Sequence, residues 1–337
     1  MKTLVYKTLE NSVTECGICN HFCRIEDGKR GICGVRENRQ GVLHSLVFPK
    51  VVARSIDPVE KKPLYHVKPG SFSYSVATEG CNFKCDFCQN SDIAQMPSEK
   101  GRLIRGAEIT PEQIVARALH AKCMSIAYTY TEPTVFFELA WETSRIAHEK
   151  GLLNVFVTNG YMSREVLEMI SPFLDAANVD LKSFSDKFYR KYCKARLEPV
   201  KENLRFMKSS GIILEVTTLL IPGLNDSAEE LDLIAGFIAN ELGPEVPWHI
   251  SRFHPAYRMT SPGGTPGETL ERAWQAGKDA GLYHVYLGNA PEIGREDTCC
   301  HFCSAVLVKR HAYEVQVRVE PGTGKCPSCG TRVYGLY

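Results

Sequence analysis

Three cysteines near the middle of the sequence have the residue type and spacing of a catalytic metal site. Cys81, Cys85 and Cys88 stand in the string CNFKCDFCQN, directly after an apolar run that predicts a strand. Three thiolates can hold three irons of a four-iron cluster and leave the fourth iron without a protein ligand. An open coordination position indicates catalysis, whereas a closed one indicates a structural site. The alternative is a zinc site in which a distant histidine completes these three thiolates.

A second cysteine group lies near the start of the chain. It has four members, which are Cys16, Cys19, Cys23 and Cys33. Four thiolates can close a metal site completely, so a structural role is the first hypothesis. Electron relay or substrate docking is the second. Zinc is the first metal that this group predicts, and an auxiliary iron–sulfur cluster is the second.

A third group forms two Cys-x2-Cys knuckles near the end of the chain. Its members are Cys300, Cys303, Cys326 and Cys329, and the second knuckle reads CPSCG, as in rubredoxins and zinc ribbons. Two such knuckles predict one tetrahedral zinc or iron ion in a structural site. Cys299 adjoins the group and is a spare ligand candidate. The segment 305–319 between the knuckles predicts a small hairpin.

The composition limits the class of protein. The chain has 337 residues, a formal net charge of +1 and 14 cysteines. The near-neutral charge argues against a general nucleic-acid coat. We expect no transmembrane helix, because no apolar run is long enough, and no secretory signal at residues 1–10. Clustered thiols without an export signal predict metal binding in a reducing compartment, so we expect a cytoplasmic protein with no membrane partner.

Strand and helix patterns alternate from residue 71 onward and predict parallel βα units. Apolar runs that predict strands cover residues 72–78, 125–130, 153–158, 176–181, 212–220, 247–253 and 284–287. Helical patterns cover about 133–149, 163–171, 199–210, 227–241 and 268–280, and another opens at the capping sequence TPEQ from Thr110. Six or so units predict an α/β fold, a partial (β/α)6-type TIM barrel, rather than a complete eight-unit barrel.

Three segments follow from these patterns. We predict an N-terminal cysteine-rich segment at 1–70, a core at 71–295 and a rubredoxin-like or zinc-ribbon domain at 296–337. A domain as short as the last one has too small an apolar core to fold alone, so metal binding would supply its folding free energy.

The central motif and the strings that follow the predicted strands resemble a known superfamily. Together with CNFKCDFC they are AYTYTEPTVFFE at 127–138, VTNGY at 157–161, NVDLKSF at 178–184, TTLLIPGLNDS at 217–227 and HVYLGN at 284–289. In this order they resemble the radical S-adenosylmethionine (SAM) superfamily. They are most similar to its pyruvate formate-lyase activating enzyme branch and, within it, to the radical SAM enzymes of the AmmeMemoRadiSam system. The resemblance extends over nearly the whole chain, with both terminal cysteine groups included.

The resemblance implies a cofactor set and a reaction. Cys81, Cys85 and Cys88 would hold a 4Fe-4S cluster, and SAM would bind the open iron. An electron donor such as flavodoxin or ferredoxin would drive cleavage of SAM to a 5′-deoxyadenosyl radical, which abstracts hydrogen from a substrate. By likeness to the activating enzymes the substrate is expected to be a protein. The alternatives are a small molecule or RNA and, more distantly, a non-catalytic zinc protein that binds a partner.

The resemblance also implies SAM contacts. Phe87 would pack against the adenine, and Glu132 would take the place of the family's GGE motif at the SAM amino group. Glu132 is alternatively a carboxylate that stabilises a helix N-terminus. The remaining implied contacts, to the ribose, the SAM carboxylate and the adenine, are Thr158, Asn159, Asp180, Lys182, Pro222 and His254. Their structural alternatives are a turn at 158–160, a simple Asp180–Lys182 ion pair and a structural histidine.

Overall fold

The computed structural model describes residues 1–97, 103–311 and 314–337, which form two compact units. The first unit comprises Met1–Asp57, Ser73–Asp175 and Tyr192–Ala195. The second comprises Pro58–Phe72, Ala176–Lys191 and Arg196–Tyr337. This division by contacts differs from the three segments inferred from motifs, and those segments stay a prediction about which parts fold independently.

The first unit begins with short antiparallel elements. Strands β1 (Tyr6–Thr8), β2 (Thr14–Cys16) and β3 (Arg24–Ile25) form a three-stranded sheet. Strands β4 (Arg36–Arg39) and β5 (Val42–Ser45) form a hairpin. Its two turn residues, Gln40 and Gly41, both have positive φ, which is the geometry of a tight two-residue hairpin turn.

The rest of the first unit is an α/β region. A two-stranded ladder joins β6 (Lys50–Val51) to β9 (Ala107–Glu108). The larger sheet has β7 (Ala53–Pro58), β8 (Phe72–Ala77), β10 (Ser125–Tyr128) and β11 (Leu153–Thr158) in the order β11-β10-β8-β7. Strand β10 runs parallel to β8 and β11. The helices are α1 (Ser91–Ala94), α2 (Pro111–His120), α3 (Phe137–Glu149) and α4 (Arg164–Ile170).

The second unit repeats the pattern with four parallel strands. They are β12 (Ala176–Asp180), β13 (Ile213–Leu220), β14 (Trp248–Arg252) and β15 (Val285–Gly288). The helices are α5 (Asp186–Phe188), α6 (Glu198–Ser209), α7 (Ala228–Phe237) and α8 (Gly267–Asp279). The strands are buried on both faces, as expected for parallel sheets covered by helices.

The second unit also contains the C-terminal cysteine knuckles. Strands β16 (Thr298–Cys299), β17 (Val306–His311) and β18 (Glu314–Val317) form an antiparallel sheet. Leu307, Val308 and Val333 contribute to a small core beside it. The two strands predicted within 305–319 are confirmed as an antiparallel pair, and residues 312–313 between them lie outside the described residues.

The α/β prediction is confirmed, and all seven predicted strands are present with ends that agree within two residues. The capping box at Thr110 is also confirmed, since its side chain accepts from the Gln113 N–H while Gln113 accepts from the Thr110 N–H. A 3-10 turn at Pro133–Phe136 precedes α3, and a π turn at Ile238–Leu242 follows α7. In the described part of the chain no helix is long and apolar enough to cross a membrane.

Candidate functional site

The loop after β8 carries the central cysteines and packs closely against the N-terminal elements of the same unit. Gly80 opens this loop with a φ of +99°. A Cβ at this position would stand 2.6 Å from Val35 Cγ1 and 3.1 Å from the Cys33 carbonyl oxygen. Glycine is therefore required here both for the backbone conformation and for the close approach of the two segments.

Backbone hydrogen bonds fix the cysteine loop. The Lys84 N–H donates to the Cys193 carbonyl at 2.9 Å, and the Asp86 N–H donates to the Tyr192 carbonyl at 3.0 Å. The Phe83 N–H points at Cys81 Sγ, 3.4 Å away, which is a contact that stabilises a thiolate. The loop thus holds its sulfur atoms on a rigid frame rather than on a free strand end.

The three central sulfur atoms are spread more widely than the ligands of one ion. Among the described residues, the only group of three or more metal-ligating side chains with all ligand atoms within 4.8 Å of one another is the C-terminal four. A four-iron cluster binds each thiolate at a separate iron, so a set of sulfur atoms that is not contracted around one point fits a cluster better than a single zinc ion. Burial, reinforced by Glu132, raises the pKa of Cys81 well above its usual range, so a metal must replace the proton of this thiol.

Glu132 lies at the end of the same sheet and is held by four donors. Its Oε1 accepts from the N–H and hydroxyl of Thr134 and from the Thr158 hydroxyl at 2.7 Å, and its Oε2 accepts from the Asn159 N–H at 2.8 Å. The carboxylate therefore caps the 3-10 turn that begins at Pro133. Burial raises the pKa of Glu132 against the effect of these donors. Its contact with SAM stays a prediction.

Asn159 connects this carboxylate to the cysteine loop. Its Nδ2 lies 3.8 Å from Cys81 Sγ and donates to Asn82 Oδ1 at 2.9 Å. Asn159 Oδ1 and Asn82 Nδ2 are both buried without a hydrogen-bond partner. Buried polar atoms of this kind are normally satisfied, so a polar ligand beside Cys81 would complete them. The thiol set and these two atoms together fit a cluster with a polar cosubstrate.

Two of these side chains were not foreseen from the sequence. Asn82 lies inside the central motif, directly after Cys81, and Thr134 lies two residues after Glu132 in the string TEPT. Their positions inside the recognised strings were the available signal. Phe87, which was predicted to contact adenine, is buried within the protein, and that role stays a prediction.

The other predicted SAM contacts belong to the second unit. The Lys182 ammonium donates to Asp180 Oδ2 at 2.8 Å, so these two residues form the ion pair that was the structural alternative. Pro222 lies in the turn after β13, where Asn225 Oδ1 accepts from the Ile221 N–H at 2.7 Å. His254 follows β14. For these four residues a contact with SAM stays a prediction.

The C-terminal cysteines have the geometry of a closed one-ion site. Cys300 Sγ lies 3.6 Å from Cys329 Sγ, and Cys303 Sγ lies 3.7 Å from Cys326 Sγ. Sulfur atoms about 2.3 Å from one zinc in a tetrahedron stand about 3.8 Å apart, which matches these distances. The same argument holds for one iron, so the metal stays open. Cys299 is exposed and is not part of the group.

Comparisons with known proteins agree with this site. Residues 75–234 match the Radical SAM superfamily. An uncharacterized protein of Methanocaldococcus jannaschii is 43% identical over 333 residues, which are 98% of this chain and 98% of that protein. The pyruvate formate-lyase-activating enzyme of Clostridium pasteurianum is 22% identical over 168 residues, or 48% of this chain and 67% of that enzyme.

A solved structure shows the same fold at low identity. SuiB of Streptococcus suis bound to S-adenosylmethionine has a TM-score of 0.50 at 13% identity, over 73% of this chain and 55% of SuiB. The superfamily match contains all three central cysteines, and the archaeal relative spans almost the full length of both proteins. The chain therefore belongs to the radical SAM superfamily, with an α/β fold of mostly parallel strands and an added C-terminal four-cysteine site.

Proposed function

We propose that this chain binds a 4Fe-4S cluster on Cys81, Cys85 and Cys88 together with SAM, and that it removes a hydrogen atom from a protein substrate. The observation that carries the proposal is a set of three thiols, not all within 4.8 Å of one another, beside two unsatisfied buried amide atoms. The bound cofactors would supply reductive cleavage of SAM to a carbon-centred radical. Everything else in the reaction is positioning and protection by the chain.

The side chains around Cys81 have separate roles in this proposal. Asn159 Nδ2 lies within reach of Cys81 Sγ and would donate to it as a thiolate. Asn159 Oδ1 and Asn82 Nδ2 would provide one acceptor and one donor for SAM. Glu132 orients Asn159 through the backbone N–H and places a negative charge where the SAM ammonium would bind. Asn82, Glu132 and Asn159 are themselves buried, and they would limit the access of water to the radical on this side of the site.

The proposed substrate is a protein, in the manner of glycyl-radical enzyme activation. The relatives support this choice by their names, which include the activating enzyme of C. pasteurianum and a putative glycyl-radical enzyme activating enzyme of M. jannaschii at 24% identity. We further assign the chain to the radical SAM enzymes of the AmmeMemoRadiSam system, with flavodoxin or ferredoxin as the electron donor. No disulfide joins the cysteines in the described part of the chain, which suits the reducing cytoplasm.

A cavity in the second unit favours a small-molecule substrate as the second candidate. It has a volume of about 380 Å³ and is lined by Thr217, His249, Ser251 and Asn289 among others. Thr217 Oγ1 is buried without a hydrogen-bond partner. The volume is within the range of metabolite sites, which extends from about 300 to 1,000 Å³.

The first test removes the central thiols. In the anaerobically reconstituted triple variant Cys81→Ala, Cys85→Ala, Cys88→Ala we expect about four fewer irons per chain and no 5′-deoxyadenosine from SAM and dithionite. Cys123→Ala is the matched control, because Cys123 is buried away from the three cysteine groups and should retain both properties. Retained SAM cleavage in the triple variant would disprove the proposal.

The second test separates the two substrate classes. A protein substrate should be recovered by anaerobic crosslinking, and it should suppress the uncoupled release of 5′-deoxyadenosine. Deuterium from a labelled protein should then appear in 5′-deoxyadenosine. If a deuterated metabolite transfers its label quantitatively with no protein added, the small-molecule candidate is correct and the protein substrate is rejected.

A further inference from the structure

The four N-terminal cysteines converge on one partly open cavity in the first unit. Cys16, Cys19, Cys23 and Cys33 all line one small cavity. Its other walls are mainly aliphatic, and they include Ile18, Ile25, Ile32 and Val135. These four cysteines are not paired in disulfides, so no disulfide explains why they converge. Four convergent thiols in an apolar enclosure form a metal site.

The C-terminal cysteines of the same chain provide an internal standard for a one-ion site. Their four sulfur atoms lie within 4.8 Å of one another, with two pairs at 3.6 and 3.7 Å. By the same criterion, applied to the described residues, no three of the N-terminal four are that close. The chain thus has one contracted four-thiol set and one expanded set.

The cavity beside the N-terminal sulfur atoms is also left unfilled by the surrounding side chains. One zinc ion draws four sulfurs to about 2.3 Å from a common centre, which leaves no room for a water-sized sphere. The cavity that the four N-terminal cysteines help to line admits a water-sized sphere and has a volume of about 20 Å³. In a cubane cluster each thiolate binds a different corner iron, so the four sulfurs stand farther from the centre.

We propose that Cys16, Cys19, Cys23 and Cys33 bind an auxiliary four-iron cluster rather than a single zinc ion. Because four thiolates saturate four irons, this cluster has no open position and cannot bind SAM. The zinc ion that the sequence favours for this group is thereby replaced by the second alternative. The role of the cluster is electron transfer or support of the fold, and not SAM cleavage.

A buried ion pair adjoins this site. Arg36 lines the cavity, and its guanidinium is buried in a bidentate pair with Glu138 at 2.8 and 2.9 Å. The Arg36 NH1 group also donates to Thr3 Oγ1 at 2.9 Å. A cation that is fixed in this way lies beside the thiolates without blocking the space between them.

The auxiliary site adjoins the central one. Asn82, which follows Cys81 directly, lines the N-terminal cavity. The Asn82 carbonyl oxygen lies 2.8 Å from Nε2 of His21, which stands between Cys19 and Cys23. One hydrogen bond therefore connects the two cysteine loops, and this short connection makes the auxiliary cluster a neighbour of the radical-generating one.

The test counts iron, sulfide and zinc per chain after anaerobic reconstitution, without any assay of activity. The wild-type chain should contain about eight irons and eight acid-labile sulfides, and the C-terminal site adds one metal ion to every count. The triple variant of Cys81, Cys85 and Cys88 to Ala should retain about four irons. Its Mössbauer spectrum should show a 4Fe-4S cluster. The matched variant Cys19→Ser, Cys23→Ser should lose about four irons and retain the central cluster.

Two results would overturn the inference. In the first, the triple variant holds less than one iron per chain and, in addition to the metal ion of the C-terminal site, one zinc ion. This result would restore the zinc assignment. The other is about two irons and two sulfides in that variant, which would indicate a smaller cluster. If either cysteine variant fails to fold, the metal content of the wild-type chain decides between zinc and a cluster. A wild-type chain with about four irons and two zinc ions would also overturn the inference. None of these results depends on whether SAM is cleaved.

Discussion

At the scale of single residues, Glu132 has two possible roles, a cap of the following turn and a contact with SAM, and one side-chain position is compatible with both. The sequence suggested a contact with the SAM ammonium and, alternatively, a helix cap. The structure contains the cap, since the Thr134 N–H donates to Oε1 at 3.1 Å. A buried carboxylate with donors on both oxygens can still attract a cation, because its negative charge remains. The cap therefore orients the carboxylate for the proposed role.

Glu132→Gln tests both roles together. Whichever oxygen becomes the amide NH2 then faces a backbone N–H, of Asn159 or of Thr134, so one buried donor loses its acceptor. We expect the variant to be about 1–3 kcal/mol less stable in chemical unfolding. Loss of the charge should also weaken SAM binding about ten- to a hundredfold in equilibrium dialysis, with the iron content unchanged.

Thr134→Val is the matched control for this change. It removes one hydroxyl donor to Glu132 and keeps the carboxylate and its charge. We expect a small loss of stability and no change in SAM affinity. If Glu132→Gln also retains the wild-type affinity while it loses stability, Glu132 is a cap and does not bind SAM.

At the scale of elements, the C-terminal sheet is the part whose folding depends most on metal. Its core is small and includes two of the ligands, Cys300 and Cys326, among its buried residues. Contacts with Thr331 lower the pKa of Cys329, whereas the neighbouring thiols raise the pKa of Cys303. A metal ion that binds all four sulfur atoms must therefore displace the protons that remain on the set. Ion binding therefore contributes directly to the folding free energy of strands β16–β18.

Adjacent cysteines provide a sharp test of this dependence. Cys300→Ser should remove one metal ion per chain and increase hydrogen exchange in residues 298–337, because three thiolates bind the ion more weakly. Cys299→Ser is the matched control, since Cys299 is exposed and lies outside the four-thiol group. Metal analysis after washing with a chelator measures the first effect. Equal metal loss in both variants would contradict the ligand assignment.

Elements were largely predictable from the sequence, and the distances between sites were not. Strands such as 153–158 and the capping box at Thr110 follow from local periodicity and capping chemistry. The C-terminal four-cysteine group follows from the spacing of its two knuckles. The sequence did not distinguish a contracted from an expanded four-thiol set, because sulfur separation depends on tertiary packing. The His21–Asn82 hydrogen bond joins residues that are 61 positions apart in the sequence, and no local pattern predicts it.

At the scale of the whole molecule, buried polar networks tie distant segments together within each unit. In the first unit Arg36 pairs with Glu138, 102 residues later. In the second, Glu215 accepts from the Tyr65 and His66 N–H groups and pairs with His249 at 2.6 Å. These partners were not predictable, since a charged residue in a strand pattern gives no sign of which distant group neutralises it. Removing one partner would leave an uncompensated buried charge.

His66 forms the centre of the network that holds the C-terminal residues. Its Nδ1–H donates to the Tyr334 carbonyl at 2.7 Å, and its Nε2 accepts from the Tyr286 hydroxyl at 2.8 Å. The Leu336 N–H donates to the His66 carbonyl at 2.8 Å. This hydrogen bonding requires a neutral imidazole. Burial, together with the positive charge of Arg310, lowers the pKa of His66 from 6.5 to about 3, while the Tyr334 carbonyl opposes this effect.

This depressed pKa predicts that the folded protein loses stability in mild acid. Below about pH 6.5 the unfolded chain protonates His66 while the folded chain does not, so the unfolded state binds more protons. The free energy of unfolding should fall by about 1.4 kcal/mol per pH unit from this residue alone, until the pH approaches 3. Urea unfolding of the metal-loaded protein at pH 7, 6 and 5 measures the slope.

His66→Asn keeps a donor for the Tyr334 carbonyl but cannot titrate, so it should show a flatter slope. His120→Asn, at an exposed position, should retain the wild-type slope. Parallel slopes for wild type and His66→Asn would show that other groups, such as the metal-binding thiols, cause the acid sensitivity.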